Sequence, residues 1–423
     1  MEYIKRIVDK KIEEYLKIFK TLYIKGPKWC GKTTTAKHHS KSVFIVDNEK
    51  ANLNYEIFKQ EALNGGEKPR LIDEWQNMPQ IWDDVRFKVD SLQTTGNYIL
   101  TGSVTPNRKN VHHSGIGRIV SLNLRTLTLY EMGISTGQLS LISLFNENIN
   151  QIIKRDESLT KETIAKLIIT GGWPEAYETI KNIEKNSSNI TLFSKKYVEM
   201  LVNEELEKIF LKPSSVTKCK RLLISLARND NTLVTNKTLM EDVNIIEGSI
   251  SDKTVNEYIE QLNTLMIFDN IMPYSPTIKS RNGLIQSPKK RFIDPTLSCA
   301  LLQINHKKLL DEPRTLGTLF ESMVYRDLKV YCEANDIKMT YYRDKFNEID
   351  AILELENEWA AIEIKLGEKQ FDDDAVKLIK ACNIVSTLNG KKPKFIAIIT
   401  GYGKEIYIRK DNVYVIPISM LKD

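Results

Sequence analysis

Apolar residues recur along this chain at two spacings, and the places where the spacing changes mark out its parts. Ile4, Val8, Ile12, Tyr15, Leu16 and Phe19 follow a helical period with Lys and Glu between them, which predicts a helix within residues 1–20. Short β-forming runs follow at 21–24, 42–47, 69–74, 97–100 and 119–124. Brief, continuous apolar runs of this kind, with polar and helix-compatible stretches between them, predict a parallel sheet flanked by helices. Residues 135–205 read as a helical connector around the turn Gly171-Gly172-Trp173-Pro174-Glu175.

From Lys218 to Phe268 three short helical patterns succeed one another. They carry Leu222, Leu223 and Leu226, then Leu239 and Met240, then Val255, Tyr258, Ile259 and Leu262, and Met266-Ile267-Phe268 follows. That order predicts a winged helix, with Ser251 as the N-cap of the third helix and Lys253, Thr254 and Asn256 at its start facing a DNA groove. Glu257 and Glu260 on the same helix weigh towards protein contact instead. Beyond Gly317 a helix with Phe320, Glu321, Val324 and Leu328 along one side precedes strands at 338–343, 348–355 and 359–366, a helix at 372–382 and a strand at 395–400. The predicted parts are 1–135, 136–205, 206–285 and 286–423.

A chain of 423 residues is too long for one core, which agrees with that division. Hydrophobic residues make up 41% and charged residues 27%, and no apolar run approaches the ~18 residues of a membrane span. With a charged N-terminus and no signal peptide, a cytoplasmic location is expected. Cys30, Cys219, Cys299, Cys332 and Cys382 are scattered without a C-x-x-C pair, and buried thiols are expected. The net charge of +6 does not by itself argue for nucleic acid.

The densest chemical signal is Gly26-Pro27-Lys28-Trp29-Cys30-Gly31-Lys32-Thr33, followed by Thr34. It fits G-x-x-x-x-G-K-[ST], a phosphate-binding loop, and it stands between a β-forming run and a helix-compatible one, as the motif requires. The glycines let backbone N–H groups turn inward on phosphate oxygens, and Lys32 would reach the β/γ-phosphates of ATP. Thr33 would ligate Mg2+, while Trp29 and Cys30 are expected to point outward. Asp73 and Glu74, at the end of the run 69–74, form a Walker B candidate: Asp73 holds Mg2+ through its water shell and Glu74 polarises the attacking water. Thr101-Gly102-Ser103 ends the next run, with Ser103 a candidate for the γ-phosphate or the lytic water. Arg118 and Arg125 are candidates for charge on the leaving phosphate, in the same subunit or across a homo-oligomer.

The series GPKWCGKT, LIDEWQNMP, YILTGS and GRIVSLNLRTLTLYEMG, continued by GGWPE, Phe292-Ile293-Asp294 and Gly317 to Gly367, resembles AAA-type ATPases that carry a C-terminal DUF4143 domain. Thr126 stands where that family more often has proline, and Lys28 where it frequently has arginine. The resemblance implies an additional-strand P-loop core, a winged helix and a region similar to the PD-(D/E)xK nuclease fold.

A hairpin turning at Glu356-Asn357 would pair residues whose numbers sum to 713, setting Asp350 across from Glu363. Opposed like charges call for compensation, which a divalent metal would provide, with Lys365 on the same face. This matches the D-x(n)-E-x-K signature of the nuclease fold, with Glu321 as the acid from the preceding helix. The resulting expectation is an α/β, ATP- and Mg2+-dependent hydrolase that couples turnover to nucleic-acid binding or processing. The alternative is a nucleotide-dependent switch or scaffold that binds DNA or a protein partner and cuts nothing.

Overall fold

The computed structural model describes residues 3–47, 54–102, 115–146, 153–154, 158–176, 181, 191–210, 212–244, 250–277, 286–367 and 371–423. The chain divides into two compact units, one of residues 1–126 with 262–266, the other of 127–261 with 267–423.

In the first unit α1 (Asp9–Ile18) leads into β1 (Thr21–Lys25), followed by α2 (Lys32–His38), β2 (Ser42–Ile45), α3 (Tyr55–Asn64), β3 (Arg70–Asp73), α4 (Gln80–Asp90), β4 (Tyr98–Gly102) and β5 (Ile119–Asn123). The five strands are parallel in the order β2-β3-β4-β1-β5. The additional strand is β4, inserted between the loop-bearing β1 and the acid-bearing β3. Both faces are covered, which is why the strands read as continuous apolar runs. Leu22, Ile24, Leu71 and Ile99 pack with Val8 and Ile12 on one side, and Tyr23, Ile72, Tyr98 and Leu100 pack with Phe58, Trp75, Trp82 and Val85 on the other. The first helix is shorter than its apolar spacing predicts. It begins at Asp9, whose carboxylate accepts the N–H of Arg6 at 2.8 Å and pairs with His39 at 2.9 Å.

The second unit begins at Leu127, whose N–H donates to the Gly172 carbonyl at 2.6 Å, and not at 136. A Cβ on Gly172 would lie 2.1 Å from the Leu127 carbonyl oxygen, so this close approach requires glycine. This unit contains the short strands β6 (Leu139–Ser140) and β7 (Ile153–Lys154) and the helices α5 (Lys161–Thr170), α6 (Leu192–Met200), α7 (Pro213–Arg228), α8 (Asn236–Asn244) and α9 (Asp252–Asn263). Antiparallel bridges Thr232↔Lys290, Ile271↔Lys289 and Phe268↔Phe292 bring together the α7–α8 turn and two segments after α9. Residues 289–292 therefore belong with the three helices, although the sequence division ended that part at 285.

After α10 (Thr296–Leu301) and α11 (His306–Asp311) come α12 (Pro313–Ala334), β8 (Lys338–Arg343), β9 (Glu348–Leu355), β10 (Glu358–Lys365), α13 (Phe371–Asn389), β11 (Ile396–Thr400), β12 (Glu405–Ile408), β13 (Val413–Pro417) and β14 (Leu421–Lys422). Seven strands form one sheet in the order β7-β12-β13-β11-β10-β9-β8. Ala375, Leu378, Cys382 and Val385, a helical stripe on α13, pack into a core with Ile349, Ile352, Trp359, Ala361 and Ile398.

The β9–β10 register runs from Glu358↔Leu355 to Ile362↔Ala351, as a Glu356-Asn357 turn requires, and Glu356 takes the left-handed φ of 51° that closes it. Strict alternation along β9 does not hold. Tyr342 pairs with Ile349 but Thr340 with Ile352, so Asp350 and Ala351 together oppose the single residue Tyr341. This bulge puts Ile349 and Ile352 in the same core, where strict alternation would group Ile349 with Ala351 and Leu353.

Below the sheet lies a fully buried ionic node on α12. The Arg326 guanidinium contacts Asp294 at 3.3 Å and Asp327 at 2.8 Å, and the two carboxylates accept the N–H groups of Gly172 and Leu129, both at 2.9 Å. The GGWPE turn, Phe292-Ile293-Asp294 and the segment after Thr126 thus meet at one point. Ion pairs and backbone N–H groups offset the cost of burying these charges.

Candidate functional site

Two groups of strand-end carboxylates stand out, one in each unit. In the first, the loop from Gly26 to Gly31 leaves the C-terminal end of β1. Gly31 has φ 97° and Trp29 φ 64°, and a Cβ on Gly26 would come within 2.1 Å of the Leu124 carbonyl oxygen. The motif's glycines are therefore required by a left-handed turn and by a close approach. Lys32, buried at the start of α2, donates from Nζ to the Pro27 carbonyl at 2.9 Å and so lies across the loop. Lys28 and Thr34 are exposed, and Trp29 points outward with 46% of its surface exposed. Cys30 does not. Its thiol is buried 3.5 Å from the Leu124 carbonyl, and burial raises its pKa. All five cysteines are buried and free.

Thr33 Oγ1 donates to Asp73 Oδ1 at 2.9 Å, and Thr101 Oγ1 donates to the same oxygen. A hydroxyl from the start of α2 and a carboxylate from the end of β3 are the donor set that Mg2+ takes in phosphate-loop proteins, so these residues fit the ion. Glu74 follows with φ 56° and ψ 47°, an uncommon conformation for a residue other than glycine. Its carboxylate accepts from Gln76 Nε2, and it is only partly buried. A kink directly after a buried strand turns this side chain away from the core. Ser103 lies outside the described residues, and Thr101 is the β4 residue that reaches Asp73.

The two arginines differ in position. Since Lys25 pairs with Asn123 and Thr21 with Ile119, Arg118 lies at the opposite end of the sheet from the loop, roughly 20 Å away along the strands. It pairs there with Asp90 at 2.9 Å. Arg125 lies past the loop-side end of β5, and its carbonyl accepts from Arg6 Nη2 at 2.7 Å. Within one subunit Arg118 cannot reach the phosphates, because parallel strands put both loop-side ends together.

In the second unit Asp350, Glu363, Glu321 and Lys365 do come together. Asp350 Oδ2 accepts the N–H of Ile364 at 2.8 Å, and Lys365 Nζ is in contact with Glu363. Burial, then the charge of Asp350, raises the pKa of both Glu321 and Glu363. Burial works against the charge on Lys365, but Asp350 and Glu363 outweigh it and its pKa is raised.

The sequence pattern did not reveal Lys289. Its ammonium, 4% exposed, lies 3.0 Å from Glu348, 3.3 Å from Glu321 and 3.8 Å from Asp350. Among the described residues no group of three His, Cys, Asp or Glu side chains is arranged to hold a metal ion. The expected ligands Glu321 and Asp350 are gathered around an ammonium instead. No short motif announces this lysine, which precedes α12 in sequence and is carried in by its bridge to Ile271.

At the proposed recognition helix, Ser251 Oγ accepts the N–H of Thr254 at 3.2 Å, so the expected cap is present. Asn256 accepts from Asn236 at 2.7 Å, while Lys253 is exposed beside Glu257 at 3.9 Å.

Residues 18–133 match the family model of an AAA domain, 161–308 that of a domain of unknown function, DUF8612, and 316–421 that of another, DUF4143. The chain therefore carries an AAA domain at residues 18–133 and a DUF4143 domain at 316–421. Uncharacterized proteins of Mycobacterium bovis and Mycobacterium tuberculosis are each 21% identical to it over 346 residues, covering 80% of this chain and 69% of theirs. Among solved structures, a Walker-type ATPase of Pyrococcus abyssi aligns over 70% of this chain and 94% of its own, at 12% identity and a TM-score of 0.43. Among the described residues no helix is long and apolar enough to cross a membrane.

Proposed function

Starting from an AAA domain at residues 18–133, we propose that this protein hydrolyses ATP and uses the turnover to gate nucleic-acid binding by its second unit, without cutting. One observation carries the ATPase part: Lys32, Thr33, Asp73 and Thr101 converge at the loop-side ends of β1, β3 and β4, with Glu74 turned outward beside them. Loop N–H groups and Lys32 bind the phosphates. Thr33 and Asp73 would hold Mg2+, which would supply positive charge against that of the phosphates. Glu74 takes up the proton of the attacking water. Arg125, at the loop-side end, is the arginine a single subunit can use, and Arg118 could serve only a neighbouring one in a homo-oligomer.

The element order α12-β8-β9-β10-α13-β11, with Glu321, Asp350, Glu363 and Lys365 on it, supports a nuclease-like fold for the C-terminal part. The run α7, Thr232, α8, α9 and the bridged segments 268–271 and 289–292 supports a winged helix. What favours binding over cleavage is Lys289, whose ammonium is paired with Glu321 and Asp350, two of the three acids that a nuclease would use on a metal.

The deciding experiment is the ATPase rate with and without single- and double-stranded DNA, alongside plasmid nicking in Mg2+ or Mn2+. Stimulation by DNA with the plasmid left intact is expected. Nicking that depends on Asp350 would restore the nuclease reading. No response to either DNA would make the partner a protein.

A further inference from the structure

We propose that the ammonium of Lys289 is the resident cation of the carboxylate cluster, filling the place between Glu321, Glu348 and Asp350 that a divalent ion would otherwise take and closing it to metal. Three carboxylates brought within 3.0, 3.3 and 3.8 Å of one point need positive charge there. In a metal site an ion about 2.0–2.1 Å from its oxygens supplies it, and here a compact ammonium does so at ordinary ion-pair distances.

The surroundings are built for an ammonium. Tyr325 and Tyr341 present their rings at 5.6 and 5.7 Å from Nζ, and the Tyr325 hydroxyl lies 3.4 Å away. Aromatic faces stabilise a desolvated cation but offer nothing to the water shell that Mg2+ keeps. The backbone fixes the delivery: Lys289 and Ile271 exchange N–H···O bonds of 2.9 and 3.0 Å. Asp350 and the neighbouring Glu363 have further partners. Asp350 gives one oxygen to the Ile364 N–H and its carbonyl to the Tyr325 hydroxyl, and Glu363 is in contact with Lys365.

This inference deepens the non-cleaving reading of the second unit, which draws on the same contacts of Lys289. Absence of DNA binding would count against that reading alone, whereas metal uptake tests the cluster directly.

The test is Mn2+ titration of the full chain without nucleotide, followed by electron paramagnetic resonance, in wild type, Asp350→Asn, Lys289→Met and the double variant. Wild type and Asp350→Asn should take up Mn2+ alike. Lys289→Met should bind one further ion per chain, roughly tenfold or more tighter than any such uptake in wild type, because a unit charge within 4 Å has gone. The double variant should lose that ion again. A wild-type Mn2+ ion that Asp350→Asn removes would overturn the proposal, as would a folded Lys289→Met protein with no gain. If Lys289→Met folds only with Mn2+, the ion has replaced the ammonium and the proposal stands. If it does not fold at all, the comparison of wild type with Asp350→Asn decides.

Discussion

Asp73 and Asp350 are both buried aspartates in β-strands of α/β units, and both sit beside a glutamate, yet their partners differ in charge. Asp73 is met by the hydroxyls of Thr33 and Thr101. These are neutral donors that leave its charge in place for a cation brought with nucleotide. Asp350 is met by a backbone N–H and by the Lys289 ammonium, so its charge is already answered from within the chain. A carboxylate at a strand end is therefore only half of a metal site. The other half is what the rest of the fold brings to it, a hydroxyl that can share an ion or a cation that excludes one.

The sharpest way to break this comparison is at the nucleotide end. Glu74→Gln should lower ATP turnover by about 10^2 to 10^4-fold while calorimetry still shows ATP binding, since the amide keeps the shape but cannot accept the proton. Lys32→Ala should instead weaken binding itself, and unchanged affinity in the same titration would remove the phosphate-loop assignment.

Next in size is the stability of the second unit. Lys289→Met strands Glu321, Glu348 and Asp350 without their cation, and breaking a buried pair of this kind costs about 3–5 kcal/mol, read as a lower urea midpoint. An unchanged midpoint would mean that the ammonium does not hold the cluster. The matching change in the first unit, Thr101→Val, removes one neutral donor from Asp73 and should cost only about 1–3 kcal/mol. If Thr101→Val were the costlier of the two, the contrast between hydroxyl and ammonium would fail.

The smallest effect belongs to Arg118. Its pair with Asp90 is 42% exposed on each side, and solvent screening leaves such exposed pairs with little effect on stability. Arg118→Ala should therefore leave stability nearly unchanged and, at a concentration where the chain is monomeric, leave turnover unchanged as well. Loss of turnover by Arg118→Ala at a concentration where the chain self-associates, recovered on mixing with Glu74→Gln, would place Arg118 at a neighbour's site.

The nucleotide unit is legible in the sequence because its chemistry is local. Eight consecutive residues form the loop, and Asp73 and Glu74 end an apolar run whose burial on both faces shows in its composition. Periodicity placed the three helices, the Ser251 cap and the β9–β10 register, since each depends on neighbours a few residues away. It could not show the bulge at Asp350–Ala351, which arises from pairing with β8, nor the end of the sheet at which Arg118 lies, which arises from strand order. Lys289 and Arg326 were beyond its reach for the same reason. Each is an ordinary basic residue in the chain and becomes a buried cation only when strands and helices distant in sequence close around it, where loss of water makes the charge of its partners decisive.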